Sequence, residues 1–146
     1  MQICELEHVN LRTSDLARAV AWYERVLGMR SGDKPNVNQV FAWMYSGAKP
    51  TVHIVEIKNM KPVENPTLEH FSFSAKGLKS FLEILKRENV TYETIRVPGV
   101  NIQVNVFDPD RNHIHIDFDM AEAKDVDPSE IRDFRDAGMR EPAKAM

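Results

Sequence analysis

Hydrophobic and polar positions in the first half of the chain predict one strand, one helix and then further strands. Residues 7–13 alternate between apolar and polar side chains, which is typical of a half-buried strand. Apolar residues then recur at helical spacing from Leu16 to Leu27. We expect a loop and a weak strand in residues 29–38, followed by strands over Val40–Tyr45 and Val52–Ile57. The first half therefore predicts a β-α-β-β-β unit.

The second half repeats this plan. Residues 68–74 alternate, and an apolar stripe at helical spacing follows over residues 78–85. Three further alternating stretches, residues 91–97, 101–107 and 113–118, predict the remaining strands. Both halves together predict an α+β fold built from two β-α-β-β-β modules.

Capping, helix-stop and linker residues indicate the expected boundaries of the helices and modules. Ser14-Asp15 offers a helix cap, and Gly28 is a natural stop for the first helix. We expect one domain over residues 1–146, with module 1 at 1–60, a linker at 61–66, module 2 at 67–119 and a polar tail at 120–146. Within the tail, residues 128–137 predict a short helix.

Two histidine-bearing segments recur with one offset. Leu6-Glu7-His8 returns as Leu68-Glu69-His70, 62 positions later, and the same offset relates His53 to His115. One repeat of three residues could be chance, whereas two repeats in register indicate an internal duplication.

The duplicated histidines lie on the polar sides of their strands. Imidazole is the commonest protein ligand for zinc, nickel, copper and iron. A lone histidine on a strand is more often a hydrogen-bonded structural residue, but related positions in two paired modules can converge on one axis. We therefore predict that at least three of the four histidines His8, His53, His70 and His115 bind a single metal ion. His113 has no counterpart in the first half at the 62-residue offset, so we expect it to lie behind the ligands or to face solvent.

Aromatic and amide side chains share these polar faces. A solvated sheet face is the simpler interpretation, but such faces usually favour Lys, Glu and Thr. Aromatic residues with a few convergent polar groups instead favour a curved sheet around a ligand cleft. The candidate substrate-binding residues on these strands are Phe41, Trp43, Tyr45, Gln103, Asn105 and Phe107.

Composition narrows the function classes. A net charge of −3 without a basic cluster argues against a nucleic-acid partner. No apolar run is long enough to cross a bilayer and no signal-like N-terminus is present, so we expect a cytoplasmic protein without a membrane partner. The single cysteine, Cys4, excludes an intrachain disulfide, and we expect it to be a buried structural thiol.

Three stretches resemble the vicinal oxygen chelate superfamily, which includes glyoxalase I, fosfomycin-resistance thiol transferases, extradiol dioxygenases and bleomycin-resistance proteins. The first is His8-Val9-Asn10-Leu11-Arg12, followed by Asp15-Leu16 and by Trp22-Tyr23 through Gly28. The second is Leu68-Glu69-His70-Phe71, and the third is Asp108-Pro109-Asp110-Arg111-Asn112 leading into His115. Together they span nearly residues 1–119.

The resemblance implies paired modules that form an open, barrel-like mixed sheet around a cleft holding a divalent metal, often in a homodimer. Zinc, nickel, iron and manganese are the candidate metals, and glutathione or another thiol is a candidate cosubstrate. The family's ligand positions match His8, His53, His70 and His115 one by one. Other members use three ligands, and His53 is the position open to question. Arg12 matches an arginine that meets a glutathione carboxylate in glyoxalase I, and its simpler interpretation is a surface charge.

The ligand set departs from the family at two positions. The fourth ligand is usually glutamate, where this chain has His115, and glyoxalase I also has glutamate where this chain has His53. A metal-bound glutamate is thought to be the base in glyoxalase I, and a metal-bound imidazole has no free lone pair of that kind. A neutral ligand set should favour an anionic guest that chelates through two oxygens. Asp117, on the face of His115, is a candidate catalytic base, an anion that orients an imidazole, or a solvated carboxylate.

Three functions are consistent with these features. The first is a metal-dependent lyase, isomerase or transferase that acts on a small oxygenated molecule. The second is an iron(II) dioxygenase that cleaves a catechol-like ring. The third is a metal-free protein that sequesters a drug or metabolite, as bleomycin-resistance proteins do. The repeated histidines favour the first two, because sequestration requires no ligands.

Overall fold

The computed structural model describes residues 1–61 and 67–134. These residues form two compact units. Of the described residues, the first unit contains 1–61, 67 and 108–112, and the second contains 68–107 and 113–134. The first unit is therefore discontinuous in sequence, because it includes a five-residue turn from the second half of the chain.

The first unit is a β-α-β-β-β module with a mixed sheet. Its elements in chain order are β1 (Val9–Thr13), α1 (Leu16–Leu27), β2 (Arg30–Ser31), β3 (Phe41–Ser46) and β4 (Lys49–Glu56). The strand order is β1-β4-β3-β2, with β1 parallel to β4 and the other pairs antiparallel.

Helix α1 begins and ends where its sequence predicts. The Asp15 side chain accepts a hydrogen bond from the Arg18 amide at 3.0 Å, and Gly28 ends the helix with φ 63°. The helix packs on β3 and β4 through its apolar stripe. The buried residues on the two sides of this core are Ala19, Trp22, Tyr23, Val26, Ala42, Met44, Val52 and Ile54.

A buried polar network attaches the Asp108–Asn112 turn to α1. Asp108, which is 5% exposed, accepts a hydrogen bond from the Tyr23 hydroxyl at 2.9 Å. The same carboxylate accepts from the Asp110 amide and from the backbone and side-chain nitrogens of Asn112. At the rim, Arg18 pairs with Asp110 at 2.7 Å. The Asp108 carboxylate is thus fully occupied by protein donors, as a buried charge requires.

The second unit repeats the module and extends it by one strand. Its elements are β5 (Phe71–Ser74), α2 (Leu78–Arg87), β6 (Tyr92–Val97), β7 (Asn101–Phe107), β8 (His113–Phe118) and β9 (Arg132–Asp133). The strand order is β5-β8-β7-β6-β9, with β5 parallel to β8. Its fully buried core residues are Leu78, Leu85, Ile102, Val104, Val106 and Ile114.

The described residues after β8 belong to the second unit and pack on its sheet and helix. Two 3₁₀ turns, Met120–Asp125 and Pro128–Glu130, lead into β9, which pairs with β6. Val126 and Ile131 are buried. Glu122 accepts hydrogen bonds from the Gly77 and Leu78 amides at 2.8 and 2.7 Å, so it caps α2 from outside that helix.

The register of strand pairing in the first sheet is repeated in the second sheet, with the same 62-residue offset that relates the two halves of the sequence. Val9 pairs with Val52 in the first sheet, and Phe71 pairs with Ile114 in the second. The neighbouring strand repeats it too, because Trp43 lies opposite His53 and Asn105 lies opposite His115. Every one of these positions differs by 62 from its counterpart, so the duplication extends to backbone pairing.

The α+β class and the two β-α-β-β-β modules are thus confirmed, and each sheet is open. Most of the expected linker lies outside the described residues, as does the end of the tail. The helix expected from Pro128 is wrong in its described part, because Asp127 caps a single 3₁₀ turn and β9 follows. The expectation of a buried Cys4 is also wrong. Residues 1–8 precede β1 and are all exposed.

No helix in the described ranges has the length and apolar character needed to span a bilayer.

Candidate metal centre

His70 and His115 are brought together by the parallel pairing of β5 and β8. His70 immediately precedes β5, and His115 lies within β8 opposite Ser72. Their rings stack with centroids 3.8 Å apart and planes 11° from parallel. The repeat-related positions in the second unit are therefore adjacent.

His113 joins this pair. It lies two residues before His115, on the same face of β8, because side chains alternate along a strand. Its ring centroid is 4.7 Å from that of His115 and 5.6 Å from that of His70. One ring nitrogen from each of the three histidines lies within 4.8 Å of the others. The sequence expectation kept His113 apart from the ligands, whereas the structure includes it in the three-histidine cluster.

Oxygen acceptors hold two of these rings. Each carboxylate oxygen of Glu69 contacts a different histidine. Its Oε2 contacts Nδ1 of His70, and its Oε1 lies 3.1 Å from Nδ1 of His113. The Nε2 atom of His113 is 3.1 Å from Oδ1 of Asn105. A metal-binding imidazole commonly donates its second N–H to a carboxylate or an amide oxygen. His70 therefore has the surroundings of a metal ligand, whereas His113 must give up one of its two contacts with oxygen to bind an ion.

Local electrostatics keep His115 neutral. Burial, followed by the nearby charges of His70 and His113, lowers the pKa of His115 to about 4. A neutral imidazole retains the lone pair that a metal ion needs. The pKa of the Glu69 carboxyl is also lowered, mainly by its hydrogen bond with His70. Glu69 therefore remains an anionic acceptor beside the three-histidine cluster.

The donor set fits a divalent metal. In the part of the chain that the structure describes, His70, His113 and His115 are the one group of three or more potential ligands that come this close together. Three imidazole nitrogens suit zinc, nickel, copper and iron better than magnesium or calcium, which prefer oxygen.

The first unit holds the other predicted pair. His8 stacks on His53 at 4.0 Å, and Trp43 stacks on the opposite side of His53 at 4.4 Å. The pKa of His53 is lowered, first by burial and then by the charge of His8. The Nε2 atom of His53 is buried and has no hydrogen-bond partner among the described residues. A buried nitrogen left unpaired in this way is consistent with a ligand role.

The four predicted histidines therefore form two pairs, one in each unit. The expectation that at least three of them bind one ion stays a prediction. Thr51 occupies the position of the first unit that corresponds to His113, so the third histidine is particular to the second half.

Asp117 follows His115 on the same face of β8. Its Oδ2 accepts a hydrogen bond from the Ser72 hydroxyl at 2.5 Å. Its Oδ1 is buried and has no hydrogen-bond partner among the described residues. Gln103 lies opposite Asp117 on β7. The Ser72 hydroxyl therefore fixes the direction of the carboxylate through one of its two oxygens.

The predicted aromatic residues lie on two strands in separate units. Phe107 on β7 stacks on His113 at 4.8 Å, and its side chain is partly exposed. In the first unit, Phe41 and Tyr45 share the Trp43 face of β3. Both carry a cation over the ring, namely Lys34 over Phe41 and Arg30 over Tyr45. Cationic side chains from β2 and from the loop after it therefore already cover two of the three aromatic rings on β3.

Arg12 lies on β1 and is exposed. It shares its strand face with Asn10, whose register partner on β4 is His53. Its expected role in binding a substrate carboxylate stays a prediction.

Sequence reasoning missed two contributors to the second-unit cluster. His113 lacked a repeat mate, although its position two residues from His115 placed it on the same strand face. Glu69 was visible as part of the repeated Leu-Glu-His segment, but its role depends on where its side chain points.

Comparison with known proteins identifies a matching family and solved structures with a similar fold. A model of the Glyoxalase/Bleomycin resistance protein/Dioxygenase superfamily matches residues 5–116. A glyoxylase/bleomycin resistance protein/dioxygenase domain from Frankia sp. EAN1pec has a TM-score of 0.69 at 19% identity, covering 81% of this chain and 99% of that one. A glyoxalase family protein from Bacillus anthracis also reaches 0.69, at 21% identity, with 82% and 98% covered.

The trypanothione-dependent glyoxalase I of Leishmania major is similar over 84% of this chain and 92% of its own, with a TM-score of 0.62 and 17% identity. Among curated proteins, no sequence matches this chain. At these identities, the solved structures establish the fold alone.

Proposed function

Since the chain belongs to the Glyoxalase/Bleomycin resistance protein/Dioxygenase superfamily, we propose that it is a divalent-metal-dependent enzyme acting on a small oxygenated anion. The reaction would be of the lyase, isomerase or transferase type. A homodimer and a thiol cosubstrate are part of the same proposal, by analogy with the family.

The proposal rests above all on the three-histidine cluster of the second unit. His70, His113 and His115 would supply the ligand nitrogens, and they already lie within 4.8 Å of one another. A purely sequestering protein would need no such cluster, whereas metal chemistry does. The neutral state of His115 at neutral pH favours the same interpretation.

The ligand charge indicates the class of substrate. A divalent ion bound there would act as a Lewis acid toward the oxygen atoms of a chelating substrate. Because imidazoles are neutral, the three ligands would leave the double positive charge uncompensated. An anionic molecule with two adjacent oxygens, such as an enediolate, a carboxylate or a phosphonate, would supply that compensation.

Neighbouring side chains of the second unit would handle the substrate and its proton. Asp117 is the candidate base, because Ser72 holds one carboxylate oxygen while Oδ1 has no hydrogen-bond partner among the described residues. Gln103 and Phe107 lie on the adjacent strand and offer an amide and a partly exposed ring. These residues would orient a small oxygenated molecule beside the histidines.

Metal analysis of tag-free protein tests the proposal. We expect about one divalent ion per chain by elemental mass spectrometry, and we expect zinc or nickel to bind more tightly than manganese. His70→Ala and His115→Ala should each lower the bound metal several-fold, because each removes one of three ligands. Lys79→Ala, an exposed change on α2, is the matched control and should retain the wild-type metal content.

Two outcomes contradict the proposal. One is wild-type protein that binds no divalent ion at micromolar concentration. The other is full native metal content in both histidine variants, which would show that the ion binds elsewhere.

A further inference from the structure

The repeated Leu-Glu-His segment has a glutamate that no ligand assignment uses. In the second unit this residue is Glu69, which lies immediately before His70. Its side chain is 74% exposed, so burial does not hold it in place. Both carboxylate oxygens are nevertheless engaged, one by Nδ1 of His70 and the other by Nδ1 of His113. Two contacts therefore fix the direction of one exposed carboxylate.

A carboxylate acts only as an acceptor, so the imidazole nitrogen facing it must carry the proton. Glu69 therefore favours the His70 tautomer with a proton on Nδ1. The Nε2 atom of that tautomer has the free lone pair, and only that atom can then bind a metal. The hydrogen bond thus selects which His70 nitrogen becomes the ligand.

The first unit contains the same pair in a looser form. Glu7 immediately precedes His8, and its Oε2 is 3.6 Å from Nδ1 of His8. That distance is too long for a hydrogen bond, although the same nitrogen faces the same carboxylate. The orientation therefore recurs in both halves, while the close contact is confined to the second.

We propose that Glu69 is a positioning residue that holds His70 in the Nδ1–H tautomer and thereby presents Nε2 as the metal ligand. The inference rests on the proposed metal-dependent function. It extends that function by assigning a role to the acidic residue of the duplicated segment. Glu69 itself does not bind the ion.

The tautomer is measured directly by two-bond ¹H–¹⁵N correlation spectra of the imidazoles in metal-free, ¹⁵N-labelled full-length protein. At pH 8, above the ordinary histidine pKa of about 6.5, wild-type His70 should show a protonated Nδ1 and a bare Nε2. In Glu69→Ala the bias should disappear, and the Nε2–H form should become substantial. A merely structural role of Glu69 would not move this signal.

Zinc affinity, measured by competition with a chromophoric chelator, provides the second readout. Removal of an orienting partner commonly costs 10- to 100-fold in metal affinity. We expect about 10-fold for Glu69→Ala, the lower end of that range, because the carboxylate is exposed. Glu83→Ala removes the same charge from an exposed position on α2 and should leave both the tautomer and the affinity as in the wild type.

The possible failures are distinguishable. An Nε2–H tautomer at His70 in the wild type, or a tautomer unchanged in Glu69→Ala, overturns the role of Glu69. Wild-type protein that binds no zinc overturns the proposed function instead, whatever the tautomer shows.

Discussion

In the first unit, the hydrogen bond between Tyr23 and Asp108 is the polar contact that is most costly to bury. Both side chains are buried, and a single hydrogen bond of 2.9 Å joins them across 85 positions of sequence. Burial raises the pKa of Asp108 above its ordinary value, and the hydrogen bonds from Asn112 and Tyr23 oppose that rise. Burial also raises the pKa of Tyr23, and the charge of Asp108 raises it further. Tyr23 is therefore a permanent donor to a costly buried carboxylate.

Tyr23→Phe should destabilise the protein in a pH-dependent way. The folded state binds the Asp108 proton more tightly than the unfolded chain does, so Asp108 lowers stability as pH rises above its ordinary range. Loss of the Tyr23 donor raises the folded pKa further, so the cost should increase with pH. We expect about 2 kcal/mol at pH 7 and about 1 kcal/mol near pH 4, measured by urea unfolding.

Tyr45→Phe is the matched control for that experiment. The Tyr45 hydroxyl donates to the backbone carbonyl of Asp33, which does not titrate. Its smaller cost should be the same at both pH values. A Tyr23→Phe cost that is equal at pH 4 and pH 7 would show that Asp108 does not titrate as its contacts indicate.

At the scale of elements, short stretches of sequence predict those features that form through contacts between residues close in sequence. Asp15 and Gly28 bound α1 as the sequence predicts, because a cap involves residues within one turn. The cap of α2 was not predictable in this way. Gly77 offers no side chain, and the acceptor is Glu122, 45 positions away. Distant contacts depend on packing, which no short window of sequence contains.

The same distinction separates the predicted strands from the missed one. Long alternating strands such as β7 and β8 were predicted within a residue of their bounds. By contrast, β9 has two residues, and it forms because the buried Val126 and Ile131 bring the chain back to β6. At the candidate site, the repeat predicts His70 and His115 but not His113, because the corresponding residue of the first half is Thr51.

Glu122→Ala should test the distant cap of α2. The substitution leaves the Gly77 and Leu78 amides without a protein acceptor, so we expect a loss of about 1 kcal/mol in unfolding free energy. Asp15→Ala removes a local cap from α1 and should cost a similar amount.

Glu83→Ala, on the exposed side of α2, should change the unfolding free energy by less than about 0.5 kcal/mol. If Glu122→Ala costs no more than Glu83→Ala, water or another group satisfies the two amides, and Glu122 is not the cap.

At the scale of the whole molecule, sequence modules and compact units do not coincide. The duplication divides the chain near residue 67, yet Asp108–Asn112 belongs to the first unit. Through Tyr23 and Arg18, helix α1 is bonded to a turn that the second half of the sequence encodes. The two halves of the sequence are therefore not independent folding pieces.

We expect a fragment of residues 1–67 to remain unfolded when produced alone. It lacks the carboxylate that Tyr23 donates to, and a chain of that length buries too little apolar surface to tolerate the loss easily. A dispersed amide spectrum from this fragment would contradict the expectation. As a control, full-length protein cleaved within residues 61–66 should keep its native spectrum, because the Asp108–Asn112 turn is still supplied.

The bond between Tyr23 and Asp108 also has a consequence for synthesis on the ribosome. When residue 67 has been translated, the first module has all of its strands but not its last buried acceptor. At roughly 5 to 20 residues per second, the ribosome needs several more seconds to add Asp108. During that delay the nascent first module cannot complete its core, because Tyr23 has no buried acceptor, and the segment that forms its helix is exposed to chaperones longer than its early position suggests.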